Sequence, residues 1–114
     1  MIINYTTIVV EDMEESVNFY KEIFGFEVER LLDMPNKQIT FMIGENGSGV
    51  ELIKEDETEI GLNAIAVSVD DVEKAVEDVK SKFPLVEVQL VDVPNGKLGF
   101  VSDPNGVTIA FSQK

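Results

Sequence analysis

Residues 33–47 read Asp-Met-Pro-Asn-Lys-Gln-Ile-Thr-Phe-Met-Ile-Gly-Glu-Asn-Gly, and residues 92–106 read Asp-Val-Pro-Asn-Gly-Lys-Leu-Gly-Phe-Val-Ser-Asp-Pro-Asn-Gly. Laid over one another at an offset of 59 positions (Asp33 on Asp92), the two stretches share a Pro-Asn pair, a phenylalanine and an Asn-Gly pair with no gap. Pro-Asn and Asn-Gly mark bends that need special backbone angles, so equal bends at equal spacing predict two equal strand meanders. The same offset carries Val10 onto Val69, Asp12 onto Asp71, Lys21 onto Lys80, Phe24 onto Phe83 and Leu31 onto Leu90. The chain therefore reads as a tandem repeat, with units at about 1–55 and 60–114 forming one domain.

Each unit resolves in the same way. Alternating stretches at Asn4 to Val10 and Asn63 to Val69 suit half-buried strands. Met13, Val17, Tyr20 and Phe24 then recur at helical spacing, as do Val72, Ala75, Val76, Val79 and Phe83. Asp12 with Glu15, and Asp70 with Glu73, fit N-caps with glutamate at the third helical position, and Gly25 and Pro84 mark the stops. Three strands complete each unit, at about 26–33, 37–43 and 49–54, then about 86–92, 97–102 and 107–112. The predicted class is α+β: two βαβββ modules forming a cupped mixed sheet with helices on its outer face.

Composition narrows the function. The chain has 114 residues, 44% of them apolar, which suits one globular domain. It has no cysteine and no histidine, which removes disulfides, thiolate nucleophiles, the usual neutral-pH base and the commonest transition-metal ligand. The net charge of −13 disfavours nucleic acid, and Arg30 is the sole arginine. That acidity serves solubility, or else draws a cationic ligand. No apolar run is long enough for a membrane span and no signal peptide opens the chain, so a cytoplasmic protein is expected.

Strand alternation sorts the side chains. Ile8 and Val10, Ile65, Val67 and Val69, Val50 and Leu52, and Ile109 and Phe111 should face the helices. Tyr5, Thr7, Glu51, Ala64, Ala66, Ser68 and Ala110 should line the opposite, concave face, where apolar walls with a few polar groups suit a small molecule. A second dry core, for example across a dimer interface, is the alternative use of that face. The run Gly44 to Gly49 lacks the lysine and helix of a phosphate loop, and Glu55 to Glu59 reads as a solvated linker.

Val10-Glu11-Asp12-Met13-Glu14-Glu15-Ser16-Val17-Asn18-Phe19-Tyr20, closing in Phe24-Gly25-Phe26, together with Phe100-Val101-Ser102-Asp103-Pro104-Asn105-Gly106, resembles the vicinal-oxygen-chelate superfamily, which includes glyoxalase I, the bleomycin-resistance proteins and extradiol dioxygenases. The resemblance runs over nearly the whole chain. It implies that the four metal-ligand positions of the metal-dependent members fall on Tyr5, Glu51, Ala64 and Ala110. Of these, only Glu51 is an ordinary ligand, whereas a catalytic divalent metal usually has three or more. No metal and no cofactor are therefore expected.

Three functions compete. The first is a metal-free small-molecule-binding protein of the bleomycin-resistance type, with Tyr5, Thr7, Glu51, Ala64, Ser68, Ala110 and Arg30 as candidate ligand contacts. The second is a metal-independent isomerase or lyase-like enzyme in which Glu51 is the proton-transfer base and Tyr5 donates to an oxyanion. The third, disfavoured by the ligand count, is a metal-dependent glyoxalase-type lyase. A homodimer is expected as well, because sheet edges left exposed invite pairing and single-module members of the family usually form a two-fold dimer.

Overall fold

The computed structural model describes residues 1–94 and 96–113. Asn95, and with it the second Pro-Asn bend, lies outside the described residues. The fold is α+β, and its order repeats: β1 (Ile2–Val9), α1 (Met13–Phe24), β2 (Glu27–Met34), β3 (Lys37–Ile43) and β4 (Gly49–Glu55), then β5 (Gly61–Val69), α2 (Val72–Lys82), β6 (Val88–Val93), β7 (Gly96–Ser102) and β8 (Thr108–Gln113). Two compact units result, one of residues 5–63 and the other of residues 64 onward together with residues 1–4.

In the first unit β2 pairs antiparallel with β3, β3 antiparallel with β4, and β4 parallel with β1. Helix α1 covers one face of this sheet. Val10, Met42, Val50 and Leu52 are buried there against Ile8, Met13, Val17, Tyr20 and Phe26. Asp12 caps the helix, its side chain accepting from the Glu15 amide at 2.9 Å. Gly25 ends it in the left-handed region at φ 73°, with its amide returning to the carbonyl of Lys21 at 3.1 Å. Tyr20 belongs to this packing, as its helical spacing predicts.

The second unit repeats the plan: β6 antiparallel to β7, β7 antiparallel to β8, and β8 parallel to β5. Val67, Val69, Val101 and Phe111 from the strands are buried with Val72, Ala75 and Val76 of α2. The cap differs from the expectation. Asp71, not Asp70, is the N-cap, and it accepts from the Lys74 amide at 3.0 Å. Starting the helix at Val72 buries that side chain completely, and the position matches Asp12 in the repeat. Burial and register thus outweigh the glutamate that a capping box at Asp70 would have used.

The hairpin bends follow the sequence. Asn46 and Gly47 both take positive φ, 57° and 77°, in the turn between β3 and β4. Between β7 and β8 the Asp103 carboxylate accepts from the amides of Asn105 and Val107 at 2.8 and 2.9 Å. Among the described residues no helix is long and apolar enough to cross a membrane.

Candidate functional site

The face of the first sheet away from α1 is built row by row. Thr7 on β1 stands beside Glu51 on β4, Glu51 beside Phe41 on β3, and Phe41 beside Arg30 on β2. Thr7, Glu51, Phe41 and Arg30 therefore form one transverse row, and neighbours in such a row interact as cross-strand pairs.

The arginine's place in it depends on a β-bulge. Glu27 and Val28 pair with Ile43 and Met42 in one register, but Arg30 pairs with Phe41, so the register shifts between Val28 and Arg30. Continued without the shift, the register would set Arg30 opposite Thr40, whose side chain lies on the α1 face. The extra residue turns Arg30 onto the Phe41 and Glu51 side instead, the re-aiming that bulges perform. Its guanidinium rests over the Phe41 ring, Cζ 4.5 Å from the centroid, within cation–π range.

Tyr5 joins from two residues earlier on β1. Its ring meets Phe41 edge-on, with centroids 5.8 Å apart and planes at 84°. Gly49, two residues before Glu51, brings no side chain to that face and leaves the tyrosine room to reach across. A Cβ there would lie 2.3 Å from the Met42 carbonyl oxygen, so the position admits no side chain without moving the backbone.

Two polar facts complete the cluster. The buried Thr7 hydroxyl donates to Glu51 Oε1 at 2.7 Å, which holds the carboxylate on the sheet and leaves Oε2 without a donor among the described residues. The Tyr5 phenol is pushed above its ordinary value, chiefly by burial and then by the negative charge of Glu51, while Arg30 pulls it back. The phenol thus stays a neutral donor between opposite charges.

These shifts can be read directly, because the chain has two tyrosines and no tryptophan. In a Tyr20→Phe background, tyrosinate absorbance follows Tyr5 alone. Its midpoint is expected above that of free tyrosine, lower in Glu51→Gln and higher in Arg30→Gln; midpoints unmoved by either change would contradict the arrangement. Since the folded protein holds this proton more tightly than the unfolded chain, the stability it contributes is complete below about pH 10 and lost as pH rises through the raised value.

In the second unit the corresponding row is Gln89, Phe100, Ala110 and Ala66. Ala64 and Ala66 are buried, and Ser68 accepts a hydrogen bond from the Asn4 side-chain amide. Of the candidates drawn from the sequence, Tyr5, Thr7, Arg30 and Glu51 come together in one unit, and Ala64, Ser68 and Ala110 lie on the matching face of the other. Phe41 was missed as a contact, although its match to Phe100 and its alternation with Thr40 and Met42 were available signals. Among the described residues no three His, Cys, Asp or Glu side chains converge as a metal site would need.

The sequence model of the Glyoxalase/Bleomycin resistance protein/Dioxygenase superfamily matches residues 2–111. The chain belongs to this superfamily. Among similar proteins within it, a lactoylglutathione lyase of Neisseria meningitidis is 35% identical over 123 aligned positions, covering 96% of this chain and 88% of that protein. A lactoylglutathione lyase of Arabidopsis thaliana is 31% identical over 92% of this chain, which spans only 41% of that relative. The fold is also that of hypothetical protein BH1468 from Bacillus halodurans C-125, with a TM-score of 0.79 at 20% identity over 99% of this chain and 94% of that one. It is shared by methylmalonyl-CoA epimerase from Mycobacterium tuberculosis, with a TM-score of 0.76 at 14% identity over 97% and 86% of the two chains. The superfamily thus contains named lyases, and its fold is found in a named epimerase.

Proposed function

We propose that this superfamily member is a metal-free small-molecule-binding protein whose ligand lies on the row Arg30, Phe41, Glu51 and Thr7, beside Tyr5. The observation that carries the reading is the row with Tyr5 beside it: a cation, an aromatic face, a carboxylate held by Thr7 and a phenol on one helix-free face. An aromatic platform with a few convergent polar groups is the usual make-up of a small-molecule site. The metal-free part rests on donor chemistry. At the four positions Tyr5, Glu51, Ala64 and Ala110 the alanines have no donor atom, the phenol is held toward its protonated form, and one oxygen of Glu51 is already bonded to Thr7. That set does not fit a divalent cation of the kind such sites hold.

The test is a thermal-shift screen with anionic, neutral and cationic small molecules on the parent protein and on Glu51→Gln. Glutamine keeps an oxygen to accept from Thr7, so stability should change by less than about 1 kcal/mol, while affinity for hits that carry a hydroxyl or ammonium donor, the ones on which this variant tests the site, falls about tenfold or more. Unchanged binding by the variant would refute the site. Elemental analysis approaching one metal per chain after dialysis would refute the metal-free part.

A second reading, a metal-independent isomerase or lyase-like enzyme, is favoured by one detail. Glu51 Oε2 has no donor among the described residues while Oε1 is pinned by Thr7, an arrangement suited to taking a proton from a bound ligand. Solvent deuterium exchange into a bound hit, lost in Glu51→Gln, separates it from simple binding.

The binding reading goes with a homodimer. Phe19, Ile23 and Phe24 on α1 are more than half exposed, more apolar surface than one short helix of a monomer usually shows. Sedimentation of a monomer at micromolar concentration would overturn this.

A further inference from the structure

Arg30 and Glu51 stand in one row, on β2 and β4 with only β3 between them, so their backbones are about 10 Å apart. Opposite charges so placed on one face would ordinarily meet. Here they do not: the guanidinium lies on the Phe41 ring and the carboxylate turns to Thr7. The ion pairs among the described residues are those of Lys82 with Asp78 and of Lys97 with Glu73 and Asp92. In a chain with 22 acidic residues, the sole arginine thus has no carboxylate partner among the described residues. An exposed guanidinium held over a ring in this way presents a preset fork of donors, the geometry that takes a carboxylate in two parallel hydrogen bonds. The Tyr5 hydroxyl, within the influence of both charges, adds a neutral donor.

We infer that the ligand is a small carboxylic acid bearing a hydroxyl or ammonium group near the acid. Its carboxylate lies on Arg30 and Tyr5, its donor group on Glu51, and its hydrocarbon part against Phe41. This rests on the binding reading above and names the ligand class. The geometry asks for both ends at once. A carboxylate alone would leave Glu51 facing an anion, and a cation alone would leave Arg30 facing a cation, whereas a ligand with both groups gives Arg30 an acceptor and Glu51 a donor. The net charge of −13 does not oppose this, because distant surface charges are screened beyond about 8–10 Å at physiological salt. It does disfavour polyanions, which reach past the row into the acidic surroundings.

The test uses a common phenylethyl frame with its polar groups varied: phenyllactate, phenylalanine, phenylpropionate, phenylpropionamide and phenethylamine, titrated calorimetrically against the parent chain, Arg30→Gln and Glu51→Gln. Phenyllactate and phenylalanine should bind most tightly, phenylpropionate more weakly, and the amide and amine about tenfold or more below the best. Arg30→Gln should cost all three carboxylates about tenfold or more. Glu51→Gln should cost only the two that carry a donor. Circular dichroism of both variants should be unchanged, since Arg30 is exposed and the Glu51→Gln change retains an acceptor for Thr7. If the amide binds as well as the carboxylates, or Arg30→Gln leaves carboxylate affinity intact, the ligand class is wrong while the binding reading stands. If nothing in this series or in the wider thermal-shift screen binds, both fail.

Discussion

Replacing Leu52 with alanine is expected to cost about 3–4 kcal/mol, the largest loss from any single truncation in the first unit. Leu52 has no exposed surface. It lies in the middle of β4 with Met42 and Val50 around it and the apolar side of α1 above. Losing its outer carbons removes the transfer free energy of a full side chain and leaves a void that strands on both sides hold open, since β4 is flanked by β3 and β1. A domain of this size has only about 5–15 kcal/mol in total. The midpoint of thermal unfolding should fall by roughly 10 °C or more. Leu31→Ala is the control: that leucine is 68% exposed, and its truncation should stay within about 0.5 kcal/mol. Equal losses from the two would refute the assignment of this core.

The second large effect comes from adding atoms. A methyl group at Gly99 would lie 2.6 Å from Val76 Cγ2 and 2.9 Å from Val72 Cγ1. Both valines are on α2 and buried, and branching at Cβ leaves each little freedom to rotate away in a helix. Gly99 lets the helix lie close against β7. Gly99→Ala should therefore destabilise by about 1–3 kcal/mol, although alanine is otherwise the better strand residue. Shortening Val76 should relieve the clash, so the double variant Gly99→Ala, Val76→Ala should lose less than the sum of the two single changes. Chemical denaturation of the four proteins measures this, and strict additivity would show that the helix is not seated on Gly99.

Most of this architecture is legible in the sequence because the repeat states it twice. Strand parity, read from alternation alone, put Tyr5, Thr7 and Glu51 on the helix-free face, and Val50 and Leu52 beneath the helix. The facing of Arg30 was not legible. Glu27-Val28-Glu29-Arg30 contains no glycine or proline to announce a bulge, and the shift shows only when β2 is set against β3. The cap of α2 was misread for a different reason. Two consecutive aspartates both qualify as caps, and what separates them is whether Val72 is buried, a tertiary fact. Phe41 lies on a middle strand, where alternation with Thr40 and Met42 assigns its face, but that it is a platform for a cation shows only when Arg30 is set beside it across the row.

Two copies of one register carry different text. Arg, Phe, Glu and Thr in the first become Gln, Phe, Ala and Ala in the second, and neither version touches the residues packed beneath either helix. The scaffold thus works as a printing frame: chemistry is set in a line of exchangeable positions on one side while the opposite side keeps the frame rigid. Thr7 and Ala66 are buried and belong to the frame; Arg30 with Gln89 and Glu51 with Ala110 are the positions at which one copy can be rewritten in the letters of the other.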